Sequence, residues 1–273
     1  MSGWTATARA VIERLEFSPT FRNPHLQTMG GTVTRRPDPL PARLEHWPTP
    51  DDDLLRVHVW EVDDEGPVAV MLHGLEGSVR SPYLIGGARR LAAGGCSVVV
   101  MEHRSCGGPL NDARRLYHSG ETTDLALVVE RTCARWPGRP VLLWGVSLGG
   151  NQIAKWLGTE TIPDAVRAAM VVSPPFDLVA SGRQMDGQVR PYVAYFLRTL
   201  IPKAVAKERQ YPGCLDAAAA RRARTFQAFD DAATAPLHGF TSAEDYYRRV
   251  ACGSRPATSQ RRTIPSTRAR RSP

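Results

Sequence analysis

The feature that most constrains the fold is the alternation of short apolar runs with helical stretches between residues 54 and 172. The first run, Leu54–Val62, alternates as a half-buried strand does. The runs that follow are nearly continuous in apolar residues, which is typical of parallel strands covered on both faces. They are Val68–Leu72, Cys96–Met101, Val141–Trp144 and Ala168–Val172.

Stretches of helical character separate these apolar runs. They are Tyr83–Ala93, Glu121–Arg135 and Asn151–Gly158. Strands that alternate with helices favour right-handed βαβ crossovers. We therefore predict an α/β fold with a doubly wound, mostly parallel sheet, whose ligands bind at the carboxyl ends of the strands.

The strand signal disappears after residue 177. Helical patches such as Tyr192–Ala206 and Cys214–Ala228 indicate a helical lid or cap over residues 177–250. Residues 251–273 are rich in Arg, Ser, Thr and Pro and poor in large apolar residues, which predicts disorder. We expect residues 1–250 to form one domain and 251–273 a disordered tail.

The formal charge of +8 does not indicate a nucleic-acid-binding face. Six arginines and no acidic residue lie in the tail, and removing them from +8 leaves +2 on residues 1–250. Five cysteines without CxxC spacing indicate neither zinc nor disulfides, and Cys106 is expected to be a free structural thiol. Residues 1–17 lack the apolar core of a signal peptide, and no run is long enough to span a membrane, so we expect a cytoplasmic protein.

Gly145-Val146-Ser147-Leu148-Gly149 matches the G-x-S-x-G pattern of a nucleophile elbow. The pattern follows an apolar run and precedes a helical stretch, which is the context that such an elbow requires. The flanking glycines permit close packing that presents the serine hydroxyl. This context favours Ser147 as a nucleophile over a glycine-rich structural turn.

A second loop, His73–Gly77, follows the run Val68–Leu72. An elbow serine needs backbone donors for the oxyanion, and we expect them to be the N–H groups of Leu148 and Leu75. His73 is either a general base or a residue that props this loop through its ring nitrogens. Its place before a glycine favours the propping role.

Other polar residues near these loops are expected to be structural. His103 and Arg104 follow the Cys96–Met101 run and shape their loop, with substrate contact as the alternative. Ser119 or Gly120 is expected to cap the following helix, and Asp124 to stabilise the amino end of that helix.

Several longer motifs resemble the YheT-like branch of the α/β-hydrolases, whose relatives include acylglycerol lipases and other esterases. The resemblance implies an α/β-hydrolase fold with a helical lid, a serine hydrolase acting on carboxylic ester or lipid substrates, Ser147 as nucleophile and no cofactor. The motifs are Asn23–Thr28, His73–Ser78, Arg104–Gly108, Leu116–Thr122, Gly145–Asn151, Phe229–Asp231 and Ala235–Phe240.

The same resemblance predicts a later strand ending in the triad aspartate and a loop bearing the triad histidine. After Ser147 the sequence contains one histidine, His238, which lies in the expected lid. We therefore expect the C-terminal strands and helix to be missing, catalysis to be impaired and an uncovered sheet edge to favour aggregation. An out-of-frame tail is the favoured interpretation, and a basic arm that binds anionic partners is the alternative.

Three functions remain open at this point. The first is an esterase or lipase, active or impaired, with Ser147 as its nucleophile. The second is a non-catalytic protein that binds an acyl ligand or a partner, and the third, least favoured, is nucleic-acid binding through the tail. The sequence does not indicate the oligomeric state.

Overall fold

The computed structural model describes residues 34–62 and 65–252, together with residues 23, 25, 26 and 30. The tail from residue 253, most of the N-terminus and part of the Asn23–Thr28 motif lie outside the described residues. The disordered or out-of-frame tail, and the single domain over residues 1–250, therefore stay predictions.

Six strands within the described residues form one mixed sheet in the order β1-β2-β4-β3-β5-β6. The last four strands in that order run parallel, whereas β2 is antiparallel to both of its neighbours. The strands are β1 (Arg43–Pro48), β2 (Leu54–Trp60), β3 (Val68–Leu72), β4 (Ser97–Met101), β5 (Val141–Val146) and β6 (Val166–Val172). All five predicted strands are confirmed, and β1 is an addition.

Helices connect the parallel strands, and further helices follow β6. The three predicted crossover helices are present as α1, α2 and α3. The helices in the described residues are α1 (Pro82–Ala93), α2 (Thr123–Arg135), α3 (Leu148–Thr159), α4 (Leu178–Gln188), α5 (Arg190–Gln210), α6 (Ala217–Arg222), α7 (Phe226–Phe229), a π-helical turn (Asp230–Thr234), α8 (Ala235–His238) and α9 (Ala243–Val250).

The central strands are buried on both faces of the sheet. No residue of β3 or β4 is exposed. Val70 and Val99 pack with α2 and α3 on one face, whereas Met71 and Val100 pack with α1 on the other. Because side chains alternate along a strand, these continuous apolar runs fill two core layers, and each fully buried side chain contributes about 1.5–3 kcal/mol.

Residues 177–250, which we call the helical segment, have an apolar core of their own. Val193 and Leu197 of α5 pack there with Phe229 and Leu237. The helical patch predicted over Cys214–Ala228 contains α6 and most of α7, and the Thr225 hydroxyl, which accepts the Ala228 N–H, starts α7 as a separate helix. Within the described residues, every helix is too short or too polar to cross a bilayer.

The prediction that Ser119 or Gly120 caps the following helix is wrong. Helix α2 begins at Thr123, whose N–H donates to the Glu121 carboxylate at 2.7 Å. Ser119 instead connects the loop to α9 and α3. Its N–H donates to the Tyr246 hydroxyl at 3.0 Å, and its carbonyl accepts the Asn151 side-chain amide at 2.9 Å. The loop before α2 is therefore held by tertiary contacts.

The outer strand β6 pairs only with β5 among the described residues. Its second to fifth residues, Arg167 to Met170, are exposed, and Met170 retains 59% of its accessible surface. An apolar edge strand of this kind is an aggregation hazard. The absence of further strands beyond β6 stays a prediction, because the tail lies outside the described residues.

Candidate active site

Ser147 lies at the sharp turn between β5 and α3. Its backbone has φ 53° and ψ −119°, a left-handed conformation that is strained for a residue with a side chain. The turn is held at both ends, because the Ser147 N–H donates to the Val172 carbonyl at 2.8 Å and its carbonyl accepts the Asn151 N–H at 2.9 Å. The predicted strand, turn and helix are thus all present.

The two glycines of the motif allow the helix to approach the sheet closely. A Cβ atom on Gly149 would lie 2.6 Å from the carbonyl oxygen of His73, and one on Gly145 would lie 2.7 Å from the carbonyl oxygen of Gly149. Backbone atoms cannot rotate out of the way. The expectation that larger residues would clash here is therefore confirmed.

The His73–Gly77 loop forms a tight turn beside Ser147. The Gly77 N–H donates to the Gly74 carbonyl at 3.0 Å, and Glu76 has φ 55°, as the third position of a type II turn requires. A Cβ atom on Gly74 would lie 3.3 Å from the Ser147 Cβ, so the turn abuts the serine. The Leu75 N–H, at the second position of the turn, donates to no group among the described residues.

Leu148 supplies a second unpaired donor within the described part of the chain. It is the first residue of α3, where backbone N–H groups have no partner inside the helix. The side chains of Leu148 and Leu75 pack in one small cluster with Cys106 and Tyr117. The structure therefore brings the three predicted site residues, Ser147, Leu75 and Leu148, to one place, and their roles stay predictions.

His73 props the loops, as the sequence favoured. Its Nε2 accepts the His103 N–H at 3.1 Å, so the ring proton is on Nδ1, which donates to the Gly74 carbonyl at 2.7 Å. Burial holds the pKa of His73 well below its usual range, and it lowers that of His103 to about 4. A fully buried imidazole with both nitrogens engaged is a structural group.

Arg104 lies in a buried ion network below the loops. Its guanidinium, with no exposed side-chain surface, donates to Asp53 at 2.7 Å, to Asp124 at 2.8 Å and to Asp51 at 3.0 Å. Asp124 also pairs with Arg115 at 2.9 Å. The loop-shaping role expected for Arg104 and the structural role expected for Asp124 are confirmed by these contacts.

A cavity of about 620 Å³ opens beside Ser147. The core contributes both leucines and Ser147, and the helical segment contributes apolar side chains from α4, α5 and α7. A concave, largely apolar site with a few polar groups is the usual form of a small-molecule site. Apolar and aromatic residues lining it include Tyr83, Val146, Pro174, Leu178, Met185, Phe196, Leu200, Phe226, Tyr246 and Tyr247.

His118 lines this cavity, which the sequence analysis did not predict. Its ring lies 4.5 Å from the ring of His238, centroid to centroid, and burial lowers the pKa of the two rings to about 4 and about 3. His118 Nδ1 accepts the Gly120 N–H at 3.1 Å. The neutral ring therefore carries its proton on Nε2 and presents a donor.

Asp230 is a second cavity residue that the sequence analysis left without a role. Its carboxylate accepts hydrogen bonds from the Thr234 hydroxyl at 2.5 Å and the Tyr247 hydroxyl at 2.7 Å. Burial raises the pKa of Asp230 to about 6, and the nearby Asp186 adds to the effect. The Phe229–Asp231 and Leu116–Thr122 motifs were the only signals in the sequence that pointed to Asp230 and His118.

Comparisons with known proteins agree with this architecture. The family described as alpha/beta hydrolase fold matches residues 67–213. The Escherichia coli (strain K12) protein named "Putative esterase YheT" is 36% identical over 92% of this chain and 76% of its own length. The Saccharomyces cerevisiae monoacylglycerol lipase is 26% identical over 90% of this chain and 53% of its own length.

One solved structure, an esterase of Pyrococcus furiosus, has a TM-score of 0.46 and 17% identity over 58% of this chain and 59% of its own. The chain spans about half the length of the yeast relative and three quarters of the bacterial one. From the family match and the likeness to YheT, the chain belongs to the family with the alpha/beta hydrolase fold.

Proposed function

We propose that this chain is a serine hydrolase of the carboxylesterase or acylglycerol lipase type, with Ser147 as its nucleophile. The observation that carries the proposal is the strained serine beside two unpaired N–H groups, of Leu75 and Leu148, at the mouth of an apolar cavity. Strained turns that present a hydroxyl to backbone donors are typical of acyl-transfer sites.

In the proposed reaction the Ser147 Oγ attacks the acyl carbonyl carbon, and the carbonyl oxygen becomes an oxyanion. The N–H groups of Leu75 and Leu148 donate to that oxyanion. The alcohol then leaves with a proton, and water hydrolyses the acyl-serine to release the acid. No cofactor takes part in these steps.

No base contacts Ser147 among the described residues, and the proposal is therefore of a slow hydrolase. Ser147 Oγ has no hydrogen-bond partner among the described residues, and His118, the histidine that lines the cavity there, presents its Nε2–H as a donor. The serine proton therefore leaves to solvent. In serine hydrolases, an oxyanion hole and binding without the triad leave about 10³–10⁴-fold acceleration over water.

The cavity favours an ester with an apolar acyl chain as the substrate. Most of its walls are leucine, phenylalanine, proline and tyrosine side chains, and the helical segment covers it as a lid. One relative is named a monoacylglycerol lipase, which agrees with a lipid ester. We extend this substrate class to the present chain as part of the proposal.

A fluorophosphonate probe tests the nucleophile. We expect slow labelling of the wild type at Ser147, located by mass spectrometry of the peptide, and none of Ser147→Ala. Ser173→Ala is the matched control, since Ser173 lines the same cavity and also has a positive φ of 49°. Equal labelling of wild type and Ser147→Ala, or labelling at Ser173, would refute the assignment.

The pH dependence of the labelling rate tests whether Ser147 reacts without a general base. Without an imidazole to accept the proton, the rate is expected to rise steadily with pH from 6 to 9, as the serine or solvent loses its proton. A plateau above about pH 7 would indicate a histidine base and contradict the proposed impairment.

A non-catalytic acyl-binding protein is the second candidate. The same apolar cavity and the absence of a base among the described residues favour it. It predicts saturable binding of a fatty acid or monoacylglycerol by calorimetry, with no acid released over hours. Turnover that Ser147→Ala abolishes would exclude this candidate.

A further inference from the structure

A lysine of the helical segment contacts the loop that contains Leu75. Lys203, on α5, places its Nζ 2.7 and 2.8 Å from the two carboxylate oxygens of Glu76. The Glu76 side chain is 5% exposed and that of Lys203 is 23% exposed. The pair joins residues 127 positions apart, so it connects the helical segment directly to the loop.

Glu76 is the residue on which the shape of this loop depends. It follows Leu75 directly and has φ 55°, a conformation that persists in a residue with a side chain only when its surroundings hold it. Its N–H donates to the Tyr117 hydroxyl at 2.9 Å, and that hydroxyl donates back to the Glu76 carboxylate at 2.7 Å. Both hydrogen bonds fix the peptide between Leu75 and Glu76.

Among the described residues, Lys203 is the cation that pairs with the Glu76 carboxylate. Tyr117 and Cys106 are its other side-chain hydrogen-bond partners there, and burial raises the pKa of the Cys106 thiol to about 12, so that thiol is neutral. A buried carboxylate that loses its cation is strongly destabilised, which favours conformations in which it reaches water. Such movement of Glu76 would turn the adjoining peptide and the Leu75 N–H with it.

We propose that Lys203 is a positioning residue, which holds Glu76 so that the Leu75 N–H points at the oxyanion. The helical segment would thus complete the oxyanion hole when it packs on the core. The inference rests on the proposed function, because it assigns Leu75 to the oxyanion hole. It adds a coupling between the helical segment and that hole.

Lys203→Met tests the coupling, because it removes the ammonium and keeps the apolar stem. Lys155→Met is the matched control, since Lys155 Nζ also joins the core to the helical segment, at 2.7 Å from the Arg249 carbonyl, but does not contact the loop. Lys203→Arg keeps the charge. Circular dichroism and urea unfolding establish that each variant is folded before rates are compared.

The first readout is the fluorophosphonate labelling rate at Ser147 as a function of probe concentration. The attack on phosphorus develops negative charge on an oxygen that occupies the oxyanion hole. We expect Lys203→Met to lower the maximal rate about tenfold to a hundredfold, with the half-saturating concentration unchanged. Lys203→Arg and Lys155→Met should stay close to the wild type.

The second readout, hydrogen exchange of the peptide that spans residues 73–79, does not depend on labelling. Exchange should be faster in Lys203→Met than in Lys155→Met. Equal rates in the two variants by both readouts, or a change in half-saturation alone, would overturn the proposal. Equal labelling of the wild type and Ser147→Ala would instead overturn the proposed function, and the exchange comparison would still decide whether Lys203 holds the loop.

If Lys203→Met does not fold, Glu76→Gln provides the same test from the other partner. It keeps the shape of the side chain and removes the charge that attracts Lys203. A slower maximal labelling rate together with faster exchange of residues 73–79 supports the coupling. Wild-type values for both quantities would refute it.

Discussion

The close contact of α3 with β3 predicts that a single methyl group at Gly149 destabilises the protein. The Cβ of an alanine there would lie 2.6 Å from the His73 carbonyl oxygen, 2.7 Å from the Leu72 Cβ and 2.9 Å from the Leu72 carbonyl oxygen. Two of these atoms belong to the last residue of β3, which is buried on both faces, and the third to the residue that follows it; none of them can move by a change of rotamer. The helix and the strand must therefore separate.

The size of the effect follows from two opposing contributions. Restoring ordinary contact requires a shift of about 0.8 Å, and overpacking of this kind costs about 1–3 kcal/mol. Replacing a helical glycine by alanine returns about 0.5–1 kcal/mol of conformational free energy. We expect Gly149→Ala to lose about 0–2.5 kcal/mol of unfolding free energy, with about 1 kcal/mol from the midpoints of the two ranges, and each 1 kcal/mol lowers Tm by about 2–4 °C.

Thermal and urea unfolding of Gly149→Ala beside Gly86→Ala measure this effect. Gly86 lies inside α1, and a Cβ atom there would have no neighbour within 4 Å. Gly86→Ala should therefore stabilise the protein by about 0.5–1 kcal/mol. If Gly149→Ala were as stable as Gly86→Ala, the helix could not approach the strand as closely as the structure shows, and the reasoning would fail.

Two further predictions concern buried charge. Burial lowers the pKa of His118 to about 4 and that of His238 to about 3. A histidine of the unfolded chain has a pKa of about 6.5, so the unfolded chain binds protons first as the pH falls. Each of the two rings therefore lowers the free energy of unfolding by about 2 kcal/mol between pH 7 and 5. Asp230, whose pKa is raised to about 6, binds a proton in the folded state over the same pH range and offsets about 1 kcal/mol of this loss of stability. His238→Gln should reduce the fall in the urea midpoint between pH 7 and 5. An unchanged fall would contradict the assignment of His238 as a buried neutral ring. Arg104→Met leaves the buried Asp124 carboxylate without its main cation and should cost about 3–5 kcal/mol in urea unfolding, whereas wild-type stability would show that the network contributes little.

The parts of the fold that follow from local pattern could be predicted, and those set by distant contacts could not. The run Val68–Leu72 is entirely apolar and forms a strand with the predicted bounds. Strand β1 contains Arg43, Glu45 and His46 and has one buried residue, Trp47, so its pairing with β2, rather than its composition, makes it a strand.

The candidate site divides in the same way. Ser147 and its glycines were predicted because a nucleophile elbow is a local motif with fixed neighbours. His118, Asp230 and Lys203 come to the cavity or its loop through packing of the helical segment, and contacts across more than 100 positions leave no local pattern. The residue types of the Leu116–Thr122 stretch indicate a loop, but they do not indicate which other elements the loop packs against.

Strained backbone conformations are concentrated at the carboxyl edge of the parallel strands, independently of any sequence motif. Glu76, Ser105, Ser147 and Ser173 have φ between 49° and 61°, and they follow β3, β4, β5 and β6 respectively. Each of the four parallel strands is thus followed, within one to four residues, by a strained non-glycine residue at the carboxyl edge. Such conformations cost on the order of 1–3 kcal/mol each and persist only where packing and hydrogen bonds hold them. Open α/β sheets bind ligands at this edge, and Ser147 and Ser173 both line the cavity there. The strained backbone conformations therefore lie where a substrate of the proposed hydrolase would react.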